Sequence, residues 1–421
     1  MPLVRANGII ELLTVGRVGY FVSFSNRAPD HPIRSGETPI LESNARTSGE
    51  VRYPNITPLS PGQFPNLKHH PRSPEKEMLV AERVCTRPAP FPIQTVVPQA
   101  KRWGIILAGG EGVRLRTLTR FISGDDRPKQ FCRLLGPHTL LEQAKSRARR
   151  SIPEEHTIFA LTTAHEAYYR RDLQYSPARR LLQPFNRGTA PAIILSLFHI
   201  VEQDPEAIVA VLPCDQCYSN EVAFTASLQS AFHAAKNHPE SVILLGAQPD
   251  RPEVEFGWIR LGPAKSKNLY RVRGFEETPI PSVAERLFEA GALWNTFVMV
   301  GRAVTFLWFS LTGAPELFAE LANASIPRDD AGDLHVPSSL YSAIQKVDFS
   351  RQILSPNAFR LLTMQLNGLK WHDLGHADRV ISVVHSRKDE PPIWVQAWEA
   401  TRPSLRHGSV SPQGNWFGGP V

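Results

Sequence analysis

Cysteine is scarce in this 421-residue chain. Cys85, Cys132, Cys214 and Cys217 are the only four, too few for a fold built on disulfides. Cys214 and Cys217 form a C-x-x-C, a spacing open to redox or metal use, but no second pair of ligands at close spacing accompanies it, as a structural zinc site would require. The intervening Asp215 offers a better reason for this loop. Long apolar runs are missing too. The best of them, residues 9–24, is interrupted by Glu11 and Arg17 and broken by Gly16 and Gly19, which argues against a membrane span. No compact apolar region leads to a small-residue cleavage site of the secretory kind. A soluble, cytoplasmic protein is the expectation. Charge of one sign is also thin. The net +7 is spread over 47 Lys and Arg against 40 Asp and Glu, a weak basis for a nucleic-acid surface. Neither nucleic acid nor membrane is expected as a partner, and any anion preference has to come from particular residues.

Hydrophobic residues make up 42% of the chain and charged residues 21%, enough for one large core or two modest ones. The first hundred residues differ from the rest, holding 14 of the 37 prolines with no sustained period of 3.6 or 2. Proline at that density removes backbone donors and forbids long helices, so residues 1–100 are expected to be a largely disordered extension. From Trp103 short apolar runs alternate with amphipathic stretches, the mark of βαβ units and an α/β fold with a mainly parallel sheet. Strands are expected at residues 103–108, 156–161, 207–212 and 242–246, and later at 257–261, 270–275, 294–300 and 359–366. Helices are expected from the capping box Thr139-Leu140-Leu141-Glu142, over residues 188–201 with proline in the first turn, and over 224–237. The folded domain spans residues 101–395, and residues 396–421 read as a loose tail.

The strongest chemical signal is Leu107-Ala108-Gly109-Gly110-Glu111-Gly112-Val113-Arg114, where a buried strand runs into glycines and then an arginine. Glycines let the backbone approach a ligand and aim amides at phosphate oxygens; Arg114 can fork onto phosphate. Arg127-Pro128-Lys129-Gln130-Phe131 then presents a second cation, Lys129, on a proline-stiffened loop. A tight strand-to-helix turn is the plain alternative for the glycines alone. A dinucleotide fingerprint would need glycine where Leu115 stands. Asp215 ends the apolar run at 207–212, at the carboxyl edge where open α/β sheets bind ligands.

L-A-G-G-x-G-x-R-L-x-x-L-T followed by P-K-Q-F resembles the N-terminal signature of sugar-phosphate nucleotidyltransferases. The P-K-Q-F form and Asn186-Arg187-Gly188-Thr189-Ala190-Pro191-Ala192 are similar to the mannose-1-phosphate guanylyltransferase branch in particular. The likeness covers roughly residues 102–385. It implies a Rossmann-like nucleotidyltransferase fold, a mixed but mostly parallel sheet flanked by helices. It also implies reaction of an NTP with a sugar 1-phosphate to give NDP-sugar and pyrophosphate. By the same resemblance Arg114, Lys129 and Asp215 are the catalytic candidates. Leu107, Ala108, Gly109, Gly110, Gly112, Gln183, Gly188 and Thr189 would bind the nucleotide. Asp215 in Pro213-Cys214-Asp215 and Asp373 in Trp371-His372-Asp373-Leu374-Gly375 would hold Mg²⁺. Gly257 in Glu255-Phe256-Gly257-Trp258-Ile259, Glu277 and Asn295 in Trp294-Asn295-Thr296 would face the sugar phosphate. Asp126 and Asp348 read as structural.

The sequence departs from the family pattern where E-K-P becomes Glu277-Thr278-Pro279, losing the lysine expected at the sugar phosphate, and where P-x-D-H ends in Gln216. Val113 and Thr117 are lesser departures. Arg271 or Arg273 is the expected substitute for the missing charge. A cupin-type isomerase domain, carried by some members of that family, is not expected in this chain. A nucleotide- or sugar-phosphate-binding homologue with weakened catalysis is the alternative reading, favoured by Thr278. Which base, which sugar and whether the chain self-associates as a homo-oligomer are left open.

Overall fold

A computed structural model of the chain describes residues 101–387 and 390–401, together with the backbone of three short strands, Ile9–Val15 (β1), Val18–Ser23 (β2) and Ile56–Pro58 (β3). Those three pair antiparallel in the order β1-β2-β3 and were not foreseen in the sequence. The expected disorder over the rest of residues 1–100, and the tail from 402 onward, lie outside the described residues. The chain divides into two units, Met1–Gln99 and Ala100–Val421, and the second holds every expected site residue.

From Arg102 strands and helices alternate: β4 (Arg102–Leu107), α1 (Arg116–Ser123), α2 (Leu140–Ala148), β5 (Thr157–Thr162), α3 (Glu166–Leu173), β6 (Arg179–Gln183), α4 (Thr189–Gln203), β7 (Ile208–Pro213), β8 (Gln216–Tyr218), α5 (Glu221–Asn237) and β9 (Val242–Ala247). Next come β10 (Gly257–Ser266), β11 (Leu269–Glu277), α6 (Pro281–Glu289), β12 (Leu293–Arg302), α7 (Ala303–Gly313) and α8 (Pro315–Ala322). The rest is β13 (Leu334–His335), α9 (Ser338–Ala343), β14 (Leu361–Gln365), β15 (Trp371–Asp373), α10 (Ala377–Ser386) and α11 (Ile393–Ala400). Local chemistry sets several boundaries. Thr139 caps α2 by accepting from the Glu142 amide at 3.1 Å, while the Glu142 carboxylate accepts from the Thr139 amide at 2.7 Å. Asn220 caps α5 through the amides of Val222 and Ala223. No helix among the described residues is long and apolar enough to cross a membrane.

Ten strands form one mixed sheet in the order β10-β11-β14-β9-β12-β7-β4-β5-β6-β13. The run β7-β4-β5-β6-β13 is parallel, and so is β14 with β9; β12 enters antiparallel between β7 and β9. Because β4 is flanked by β5 on one side and β7 on the other, the chain leaves it in opposite directions. That reversal opens a crevice at the carboxyl ends of the strands. Ile105, Ile106, Ile158, Leu161, Val209 and Val211 are fully enclosed, as expected of strands covered on both faces.

Three readings of the sequence need correction. The tail begins later than residue 396, since α11 continues to Ala400 with Val395 and Trp398 buried and Trp398 edge-on to Phe121 at 5.0 Å. β6 was missed because it opens with Arg179-Arg180. Arg180 is accommodated by an ion pair with buried Asp333, whose carboxylate also accepts from the Arg180 amide at 2.9 Å. β8 and β15, each three residues long, were missed as well, and their pairing determines the site.

Candidate active site

The side expected to meet the nucleotide is built from main chain. Beyond β4 the Gln130 side-chain amide donates to the carbonyls of Ala108 (3.0 Å) and Gly110 (2.7 Å), and the Thr162 hydroxyl donates to the carbonyl of Gly109 (3.0 Å). A trans peptide carries its N–H opposite its C=O. The amides of Gly109, Gly110 and Glu111 each therefore point away from the side chain that holds the carbonyl before them. A Cβ on Gly109 would stand 2.9 Å from the Gln183 amide nitrogen, whereas one on Gly110 would meet nothing within 4 Å. Gly112 has φ +60°, and its Cβ would come 2.9 Å from the backbone nitrogen of Lys129. Glycine there lets the loop after β4 touch the Pro128-Lys129 loop.

Buried Gln183 closes this side, donating to the Leu161 carbonyl at 3.2 Å and accepting from the Tyr341 hydroxyl at 3.0 Å. Gly188 has φ +86° and ψ −173°, a conformation essentially confined to glycine, and its missing side chain makes room for the Val347 carbonyl. Thr189 accepts from the Phe349 amide at 2.9 Å, and Ala190 donates to the Val347 carbonyl at 3.2 Å. Residues 186–190 are thereby joined to the segment 341–349.

The carboxylates meet through the short strands. In the antiparallel pairing of β15 with β8, Asp373 lies opposite Gln216, which brings Asp215 and Asp373 together. Gln216 fixes this corner by donating to the Thr296 carbonyl (2.7 Å) while accepting from the Tyr218 hydroxyl and the Trp371 indole, both at 3.0 Å. A hydrogen-bonding role thus accounts for the glutamine without titration. Between the aspartates stands buried Lys129, its ammonium 3.2 Å from Asp215, 3.7 Å from Asp373 and donating to the Leu374 carbonyl at 3.0 Å. Burial pulls this ammonium down, but the two aspartates outweigh it, so its pKa lies above the ordinary lysine value. Exposed Arg114 sits on the turn Val113–Leu115, its guanidinium beside Gly375, where a Cβ would meet it at 3.4 Å and the Asp373 carboxylate at 2.7 Å. Arg379 also approaches Asp373, to 3.5 Å, while pairing with Glu253 (3.0 Å) and Glu255 (2.6 Å).

No group of three or more His, Cys, Asp or Glu among the described residues could hold a metal ion. Two carboxylates at the cleft floor nevertheless suit Mg²⁺, which is commonly bound by one or two carboxylates with substrate phosphates completing its shell. Cys214 and Cys217 are free, buried thiols whose pKa is pushed up by burial. They are packing residues around Asp215 rather than a reactive pair.

The residues expected to face the sugar phosphate are joined through side chains. Gly257 pairs with Glu277 across β10 and β11, and a Cβ on Gly257 would strike the Glu277 carboxylate at 2.6 Å. Asn295 accepts from the Phe297 amide at 3.0 Å and donates to the Ser350 hydroxyl at 3.4 Å. Burial, with Asp348 nearby, holds the Glu277 carboxyl above its ordinary pKa, opposed by the Arg351 guanidinium and a hydrogen bond with Asn295. Thr278 is exposed with φ +47°, an unusual conformation for a β-branched residue.

One cleft of about 590 Å³ is lined by residues that include Gly109, Gly110, Gln183, Asp215, Asp373 and Arg351, whereas Arg114, Lys129, Gly257, Glu277 and Asn295 stand outside its lining. Arg271 and Arg273, the expected substitutes for the missing lysine, are instead exposed positions on β11 that do not line it. Lys346 and Arg351, which the sequence reading passed over, do line it. Asp348 has a structural role, accepting from the Arg351 amide at 2.9 Å, yet it lines the cleft as well. The only hint in the sequence is the spacing of Lys346, Asp348 and Arg351 around an apolar Val347-x-Phe349.

The nucleotidyl transferase family model matches residues 103–389. Mannose-1-phosphate guanylyltransferase RfbM of Salmonella typhimurium is 29% identical over 220 residues, 51% of this chain and 44% of that protein. The xanthan biosynthesis protein XanB of Xanthomonas campestris pv. campestris is 30% identical over 207 residues, 48% of this chain and 42% of that one. The chain thus matches less than half the length of these relatives. The crystal structure of mannose-1-phosphate geranyltransferase from Thermus thermophilus superposes with a TM-score of 0.58 at 29% identity, covering 68% of this chain and 80% of that one. With the glycine loop and the paired aspartates in one cleft and Lys129 between those aspartates, the chain belongs to the nucleotidyl transferase family, and within it is similar to the mannose-1-phosphate guanylyltransferases.

Proposed function

We propose that the chain transfers a nucleotidyl group from an NTP to a sugar 1-phosphate, releasing pyrophosphate, with GTP and mannose 1-phosphate as its substrates. The observation that carries this reading is Lys129 between Asp215 and Asp373, beside a loop whose amides are freed for phosphate. Two anions must meet in such a reaction. A sugar-phosphate oxygen attacks the α-phosphorus in line, the bond to the β-phosphate bridging oxygen breaks, and pyrophosphate leaves with that electron pair. Little covalent work falls to the protein, and positioning and charge neutralisation dominate. The amides of Gly109, Gly110 and Glu111 receive phosphate oxygens, and Arg114 at the loop's end meets the departing pyrophosphate. Lys129, kept protonated by its two aspartates, neutralises charge at the α-phosphate. Asp215 and Asp373 would hold Mg²⁺, whose contribution is to screen the phosphate oxygens. The names of the relatives support guanylyl and mannose 1-phosphate over other pairs.

A panel of NTPs and sugar 1-phosphates with pyrophosphate detection tests this directly. GTP with mannose 1-phosphate should give the highest kcat/KM, dependent on Mg²⁺. Failure of every pair would leave the binding homologue that Thr278 suggests.

A further inference from the structure

A sugar 1-phosphate bears negative charge, and an exposed threonine hydroxyl at position 278 cannot answer it as an ammonium would. We propose that Arg351 supplies the cation for the sugar phosphate in place of position 278; this rests on the nucleotidyltransferase reading of the cleft. Arg351 lines the same cleft as Asp215, Asp373 and Phe297. The preceding residue, Ser350, accepts from Asn295 at 3.4 Å, which sets the Arg351 segment against the strand that carries Asn295, on the side expected to meet the sugar. Its base is well anchored. The Arg351 amide donates to Asp348 at 2.9 Å, and neighbouring Phe349, Ser350, Ile353 and Leu354 are buried.

Elimination among the cations in and around the cleft points the same way. Lys129 is shared between two aspartates, and Arg114, at the end of the glycine loop, is taken by the departing pyrophosphate in the proposed reaction. Arg379 is committed to Glu253 and Glu255. Lys346 adjoins Val347, whose carbonyl packs against Gly188 on the nucleotide side. Among the described residues the Arg351 guanidinium has no ion pair within 4 Å to a carboxylate. It is therefore free to fork onto a phosphate, which arginine does in bidentate fashion and lysine cannot.

The test uses the full chain, with mannose 1-phosphate and GTP varied separately. Arg351→Gln should raise KM for mannose 1-phosphate about tenfold or more, the loss of a charge-assisted hydrogen bond, and leave KM for GTP within about twofold. Arg351→Lys should fall between, since it keeps the charge and loses the fork. Lys346→Gln should move the GTP constant more than the sugar-phosphate constant. An unchanged mannose 1-phosphate KM in Arg351→Gln, or equal losses for both substrates, overturns the assignment. Calorimetric binding of mannose 1-phosphate alone separates the two levels of the reading. If the wild type binds it, Arg351→Gln binds it more weakly at an unchanged melting temperature, and neither releases pyrophosphate, the Arg351 assignment stands and the transferase reading falls. If the wild type binds no sugar phosphate, both fall.

Discussion

On the proposed nucleotide side of the cleft, residues 107–112 and 188 are shaped by main chain, with carbonyls tied to Gln130 and Thr162 and glycine at two positive-φ positions. On the proposed sugar side Glu277, Asn295 and Arg351 would act through side chains, Glu277 and Asn295 being joined by a hydrogen bond. A wall made of backbone tolerates almost no change at its glycines. A wall made of side chains can shift a charge from one segment to another while the pocket remains, and the proposed replacement of position 278 by Arg351 is such an exchange. The shared floor, Asp215 with Asp373 and Lys129, serves both walls.

Breaking the floor should have the largest effect. Asp215→Asn should lower Mg²⁺-dependent turnover at least about a hundredfold, because an amide is a much poorer ligand for a hard cation, with circular dichroism unchanged. Turnover near wild type in saturating Mg²⁺ would remove Asp215 from the metal site and leave Lys129 as its only purpose.

The backbone wall should fail next. Gly188→Ala places a Cβ against the Val347 carbonyl in a conformation open essentially to glycine alone. A stability loss on the order of 1–3 kcal/mol from the backbone strain is expected, with KM for GTP up roughly tenfold and KM for mannose 1-phosphate nearly unchanged. Urea titration and two-substrate kinetics check both halves; equal effects on the two substrates would erase the distinction between the walls.

The floor and the backbone wall were legible in the sequence because each is a local pattern at a strand end: an apolar run, then glycines or an aspartate. What joins them was not. β8 and β15 are too short to show a period, and their pairing across residues 216–218 and 371–373 is a long-range choice. The Arg179-Arg180 opening of β6 hides a strand whose charge is met by Asp333, far along the chain. Arg351 follows an ordinary capping aspartate, and nothing nearby in the sequence says that the turn overlooks Glu277. Side-chain walls are assembled by tertiary packing, so their members are harder to read than those of a backbone wall.

Acid should weaken the support beneath the backbone wall. Helix α4, which begins at Thr189, carries buried His199, whose pKa is lowered to about 4 by burial, with Arg328 and Arg179 adding to the effect. In the unfolded chain this imidazole titrates near 6.5. The unfolded state then binds more protons between those values, so stability is full above about pH 6.5 and falls as pH drops toward 4. From pH 7.5 to 5.5 the loss from this group should be on the order of 1 kcal/mol. His199→Gln should flatten that part of the urea-midpoint profile. Parallel profiles for variant and wild type would mean that the imidazole is not held neutral.

The smallest effect should come from restoring lysine at position 278. Thr278 is exposed and sits at φ +47°, where a β-branched side chain is strained, so an unbranched lysine should be accepted without loss of stability. Its ammonium would approach the sugar phosphate on a flexible stem as a point charge. If Arg351 already provides a fork there, a second cation adds little, and KM for mannose 1-phosphate in Thr278→Lys should fall by less than about fivefold, against the tenfold or more that one charge-assisted contact can provide. In an Arg351→Gln background the same lysine should recover most of the lost affinity, because no other cation is assigned to the sugar phosphate. Non-additivity of this kind is what two groups serving one phosphate produce. A large gain in the wild-type background, with no added benefit in the Arg351→Gln chain, would show that the two positions serve different anions and that the charge had not moved between segments.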